Sequence, residues 1–167
     1  MIQACFTETA IFQSVVEWAA ADYRRKNRST SFLERVLAEC ELEPAFAAVL
    51  QARRDARLSF YRVTGIEVGR SLTVEDVLTG DQFTLWDAAM SDSALPDLVL
   101  PLRLMLLGEW HLPMIAGPAE VADEAEQTLK RLEGAGVMLT PEGLREKAEM
   151  LGRLWVWKYS NQYVTPA

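Results

Sequence analysis

Histidine and cysteine are nearly missing from this chain, which has one histidine and two cysteines in 167 residues. A zinc centre needs about four Cys, His or carboxylate ligands in local spacing. Cys5, Cys40 and His111 offer no such spacing, so no metal site is expected. Two thiols without a partner motif fit a reducing cytoplasm. Long apolar runs are missing too. The most apolar stretch, Leu98 to Leu107, is roughly half the ~20 residues that a bilayer span needs. The N-terminus has no basic region leading into an apolar run, so no signal peptide is expected. Positive charge is also in deficit, with 17 Lys and Arg against 24 Asp and Glu, a net charge of −7 and a pI near 4.8. Such a field disfavours nucleic acid and anionic membranes as general partners but leaves room for a local basic patch. There is no internal repeat, low-complexity run or flexible linker. The expectation is a cytoplasmic protein with no membrane association, cofactor or metal.

What is present is ordinary globular material, 50% hydrophobic and 25% charged, long enough for one domain and one sizeable core. The chain is organised around its middle. Ser59 to Val63 has the aromatic and β-branched flavour of a half-buried strand, and Gly65 interrupts it. Ser71 to Val77 alternates, with Leu72 and Val74 on one face. Gln82 to Asp87 alternates again, with Phe83 and Leu85 together. Leu78-Thr79-Gly80-Asp81 between them is a tight turn, which makes the two runs a hairpin. Ser91 to Asp97 reads as a polar loop. Pro101 splits the run from Leu98 to Leu107, so a central ladder position is not expected there. Gly108-Glu109 turns the chain into Trp110 to Ile115. Short antiparallel strands with tight turns predict a small closed barrel, because closure removes exposed edges. The expected fold is α+β in a single domain, 1–167. It has N-terminal helices (1–57), a five-stranded antiparallel SH3-like or OB-like barrel (58–117) and C-terminal helices (118–167).

The first helix is expected to run to about Asn27, bearing Ile11, Val15 and Trp18 on one face. Arg24, Arg25, Lys26 and Arg28 follow. They read as cations complementing the helix C-terminus, with a phosphate-binding patch as the sharper alternative. Ser31 or Thr30 with Glu34 forms a capping box. Pro44 starts another helix. After the barrel, Val121, Ala125, Leu129 and Leu132 mark a helix ended by Gly134 and Gly136. Thr140-Pro141 caps the last one. Trp155, Trp157, Tyr159 and Tyr163 crowd its end. They read either as core packed near Trp18 and Tyr23 or as an aromatic anchor for another protein.

Phe60-Tyr61-Arg62-Val63, the run Leu72 to Asp81, and Leu98 to Arg103 together resemble a segment of uncharacterised bacterial proteins. Phe32 to Arg35 and Leu50 to Arg53 fit the same pattern, which covers roughly residues 29 to 135. In many of those proteins, helices and a small β-domain precede a cysteine-rich SEC-C motif. This chain has no SEC-C motif. The resemblance therefore implies the architecture and no activity.

Catalytic constellations are not evident. Gly65 to Ser71 has a phosphate-loop flavour, but its glycines are too close, arginine replaces lysine and a strand follows, so it is a turn. Cys40 and His111 could form a nucleophile–base dyad only if the fold joined them. Ser91 and Ser93 sit in no nucleophile elbow. Arg103 interrupts the most apolar strand and needs a carboxylate, because an unpaired buried charge is costly. Asp76, or else Glu75 or Asp87, is the expected partner, in a structural ion pair. These features point to a non-enzymatic adaptor or regulatory subunit acting through another protein. The alternative is a nucleic-acid-binding module using the barrel with Arg24, Arg25, Lys26 and Arg28, which the net charge disfavours. An enzyme would need Asp76, Arg103 and His111 in one deep pocket.

Overall fold

The computed structural model describes the backbone of residues 8–115 and 117–163 and the side chains of 15–114 and 117–155. Cys5 lies outside them. Three helices come first: α1 (Glu8–Ala21), α2 (Phe32–Glu39) and α3 (Pro44–Arg54). Five strands follow: β1 (Arg57–Glu67), β2 (Ser71–Asp76), β3 (Gln82–Trp86), β4 (Val99–Leu107) and β5 (Trp110–Ile115), with a short helix α4 (Ala88–Ser93) between β3 and β4. Helices α5 (Ala122–Gly134), α6 (Pro141–Glu146) and α7 (Ala148–Tyr163) follow the barrel. The α+β architecture with helices at both ends of a closed barrel is as expected from the sequence.

The barrel closes in the order β1-β2-β3-β5-β4. It is mixed rather than wholly antiparallel, because β3 meets β5 in parallel, Leu85 opposite His111. The long return through α4 and β4 imposes this: β5 reaches β3 only after pairing antiparallel with β4. That Greek-key order makes the barrel OB-like rather than SH3-like. Strand β1 runs through Gly65 without a break. It bends at a register shift between Val63 and Gly65, so its first half pairs with β4 and its second with β2.

Strand alternation sorts every side chain inward or outward. Tyr61, Val63, Leu72, Val74, Leu85, Leu98, Leu100, Leu102 and Leu104 fill the interior. Leu58, Phe60 and Val99 point the other way and pack on Ala125, Leu132, Val137, Leu144, Leu151 and Trp155 of the C-terminal helices. Ala21, Leu33 and Leu50 form a smaller core among α1, α2 and α3. Because β4 is buried on both faces, it reads as a continuous apolar run. Pro101 sits inside it after all, opposite Phe60. Its missing N–H falls where β5 has ended, and there only its carbonyl is used, accepting from Gly117 N–H at 3.2 Å.

Two local features, the end of α1 and the stretch from Ser91, differ from expectation, whereas the capping box of α2 is as expected. Helix α1 stops at Ala21 with no basic residue in its last turn, so the basic cluster does not complement a helix end. Ser31 is the cap of α2, and its hydroxyl accepts from Glu34 N–H while Glu34 accepts from Ser31 N–H. The stretch expected as a loop from Ser91 starts inside α4, which Asp87 caps by accepting from Met90 N–H at 2.8 Å.

Arg103 does not pair with Asp76, Glu75 or Asp87. It donates to Asp22, just past α1, and both side chains are buried. Parity is the reason: Arg103 lies between the inward Leu102 and Leu104 and points outward, while Asp76 shares the inward face of Leu72 and Val74. The pair ties the N-terminal helices to the outer wall of β4. Burial pushes the Asp22 carboxyl up, against the pull of Arg103.

Arg103→Met strands that carboxylate and costs about 3–5 kcal/mol at neutral pH, whereas Asp22→Leu with Arg103→Met recovers most of the loss. In the single variant the Asp22 carboxyl rises further above its unfolded value of about 3.9. A raised acid stabilises the fold below its unfolded value, and that stability is lost as pH rises through the folded one. Urea unfolding of Arg103→Met should therefore give a higher midpoint near pH 4 than at pH 7. The α1–α7 contact is testable in the same assay. A Cβ on Gly152 would lie 2.9 Å from the Trp18 ring, so Gly152→Ala should cost about 1–3 kcal/mol.

Candidate functional site

Helices pack on the barrel at β1, β4 and β5, and the short α4 packs against β2. Of the outward residues of β2 and β3, Ser71 is buried, while Thr73, Glu75, Gln82, Thr84 and Trp86 are exposed or half-buried. At one edge of this wall Trp86 meets Trp110 edge to face, with ring centroids 4.7 Å apart. Arg70 lies over the Trp86 ring, its guanidinium 5.2 Å from the centroid. Three elements build the corner: the end of β3, the start of β5 after the Gly108 turn, and the turn between β1 and β2. The last is pinned to α4, because Arg70 N–H donates to the buried Ser91 hydroxyl at 3.1 Å. Ser91 in turn donates to Ala88 O at 2.7 Å, which gives that serine a structural task. Trp110 remains 45% exposed and Val68 beside Arg70 remains 76% exposed. Charges on the wall are balanced. Arg70 pairs with Glu67 at 2.7 Å, and Arg62 lies 3.9 Å from Glu75.

The second feature is the mouth of the barrel beneath α3. It opens as a cleft of about 690 Å³, lined by Ala48, Gln51, Ala52 and Asp55 of the helical side and by Arg57, Phe83, Leu104, Leu106 and His111 of the strands. The strand residues are the inward positions at the open end. A polar layer separates them from the apolar interior. Asp76 is fully buried and accepts from Arg57 Nη2 at 2.9 Å, from Ser59 Oγ at 2.8 Å and from Leu78 N–H at 2.9 Å. Asp81 accepts from Arg57 at 3.1 Å and from Thr79 at 2.8 Å. The Thr79 hydroxyl, followed by Arg57, holds the Asp81 carboxyl below its usual range. Burial beside Asp76 pushes the Tyr61 phenol well up.

The sequence-level candidates separate. Asp76 is an ion-pair residue, with Arg57 rather than Arg103. Neither Asp76 nor Arg103 lines the cleft that holds His111, so the enzyme constellation is not assembled. Cys40 is exposed at the C-cap of α2 and is not among the residues that line the cleft with His111. Trp155 is 5% exposed in the core against α5 and α6, so it is no surface anchor. The side chains of Trp157, Tyr159 and Tyr163 lie outside the described residues. Arg24, Arg25, Lys26 and Arg28 are exposed in the loop between α1 and α2, and Arg24 is held by Ser29 O at 2.8 Å and by Glu34. Asp22 anchors the start of that loop to β4, two strands from the β2–β3 wall whichever way round the barrel is followed. Trp86, Trp110, Arg70, Arg57 and Phe83 were not legible as site residues. The alternation that puts Phe83 and Leu85 inside does place Trp86 outside. Among the described residues no group of three or more His, Cys, Asp or Glu is placed to hold a metal ion, and no helix is long and apolar enough to cross a membrane.

A family of unknown function, DUF7986, matches the chain over residues 3–121. The chain belongs to that family. The matched part spans the N-terminal helices and the whole barrel, so it contains the aromatic corner, the mouth and the Asp22–Arg103 pair. No curated protein and no solved structure matches.

The polar layer and the corner should respond differently to truncation. Asp76→Ala removes the acceptor of three donors and should cost at least about 3 kcal/mol. Trp110→Ala, at a surface position, should stay within roughly 1 kcal/mol of the parent. Chemical denaturation of both variants checks this.

Proposed function

We propose that the chain is a non-enzymatic adaptor or regulatory subunit that holds another protein on the β2–β3 wall of its barrel. The observation that carries this reading is the Trp86–Trp110–Arg70 corner. Tryptophan and arginine are the side chains that dominate interface hot spots, because they bury large area with few rotors and keep a polar handle. The flanking pairs, Arg62 with Glu75 and Arg70 with Glu67, make the wall neutral, which suits a protein surface better than a phosphate backbone. The proposed setting is a reducing cytoplasm, where the exposed thiol of Cys40 stays free.

The barrel order favours a second reading, a nucleic-acid-binding module. OB-like barrels present the same wall to single strands, with aromatic rings as stacking platforms in a basic groove. Here the groove lacks excess positive charge, and the basic loop between α1 and α2 is anchored two strands away.

A tagged pull-down from native lysate, with and without nuclease, separates the two. The expected result is a stoichiometric protein that survives nuclease and is lost, by about 2 kcal/mol or more of binding, in Trp110→Ala and Arg70→Glu. Recovery that disappears with nuclease and falls steeply with salt would establish the second reading instead. A partner retained by both variants would remove the β2–β3 wall as its docking face.

A further inference from the structure

The barrel mouth is separate from the β2–β3 wall, and a ligand held there is independent of the adaptor reading. We infer that the mouth is a binding site for an uncharged, mainly apolar small molecule carrying a carbonyl acceptor. Its volume, about 690 Å³, falls in the range of small-molecule pockets, which often form at barrel mouths. Its shape comes from the sequence. Opposite the strands, α3 presents Ala48 and Ala52, whose small side chains leave the space open. Leu104, Leu106 and Phe83 give it an apolar floor and rim, and Leu106 stays 56% exposed although it occupies an inward position.

Two polar groups converge on Phe83. The Arg57 guanidinium lies 5.5 Å from the ring centroid, and the His111 ring meets it edge to face at 5.1 Å. All three side-chain hydrogen bonds of Arg57 run through Nη2, to Asp76, Thr79 and Asp81. Among the described residues Nη1 has no partner, and Nε is buried without one, so the guanidinium keeps N–H donors for a ligand.

Charge selects the ligand. Two carboxylates, Asp76 and Asp81, already face the single guanidinium of Arg57. Asp55 on the opposite wall is matched by Arg54 at 2.8 Å. The site thus carries a surplus negative charge while still offering an N–H donor. A ligand carboxylate would lose its hydration and meet that surplus, whereas a neutral carbonyl accepts the same hydrogen bond without the penalty.

His111 is the chain's sole histidine, so its imidazole proton resonances report on the mouth without assignment ambiguity. The test is a titration of the full chain, followed by NMR at those resonances, with three naphthalene probes. They are 2-acetonaphthone (neutral carbonyl), 2-naphthoate (carboxylate) and naphthalene (no acceptor). The expected result is a saturable shift with 2-acetonaphthone, with each of the other two binding at least ~10-fold more weakly. Leu106→Trp and, independently, Ala48→Trp fill the mouth from opposite walls, and each should abolish the shift while leaving the amide spectrum folded. No saturable shift with 2-acetonaphthone in the parent chain would overturn the inference. So would 2-naphthoate or naphthalene binding as tightly, or undiminished binding in either folded variant.

Discussion

From Leu58 to Tyr61 on β1 and from Val99 to Met105 on β4, side chains point alternately into the barrel and out toward the helices, and both directions are buried. The rest of the structure depends on that two-sided burial. Leu98, Leu100, Leu102 and Leu104 complete the barrel interior, while Val99, Arg103 and Met105 belong to the layer between barrel and helices. A one-residue slip would exchange the two sets and drive Arg103 into the apolar interior. Arg103 therefore resists register errors as well as anchoring the N-terminal helices through Asp22.

The same parity governs the chemistry. The inward residues at the open end, Arg57, Asp76, Phe83, Leu106 and His111, form a polar layer topped by an apolar-rimmed mouth. The outward residues of β2 and β3 from Thr73 to Trp86 form a wall that stays exposed or half-buried, with α4 against β2 and the other helices on β1, β4 and β5. Trp86 and Trp110 are outward neighbours of the inward pair Leu85 and His111, whose parallel contact joins β3 to β5. Barrel closure and the aromatic corner are thus two sides of one strand contact.

Much of this was legible locally. The hairpin from Ser71 to Asp87 followed from alternation and Gly80, and the start of α2 followed from Ser31 and Glu34. The helical blocks at both ends followed from apolar periodicity and capping. Short-range physics settles such features, because the interacting groups lie within a few residues of each other. Arg103 was recognised as needing a carboxylate, yet Asp22 was missed. Nothing local distinguishes an acid at the end of the first helix from one in a neighbouring strand. The parity of Leu72, Val74 and the even leucines of β4 would have excluded Asp76.

By itself, the sequence determined the element types and the tendency to close into a barrel, both consequences of composition and of periods of two and 3.6 residues. Only the tertiary structure decided the mixed strand order, the partners of Arg103 and Asp76, the burial of Trp155, and the gathering of Trp86, Trp110 and Arg70. Each depends on residues distant in the chain, brought together by how the strands close and which barrel faces the helices cover. That arrangement minimises exposed apolar area over the whole molecule rather than within any one segment.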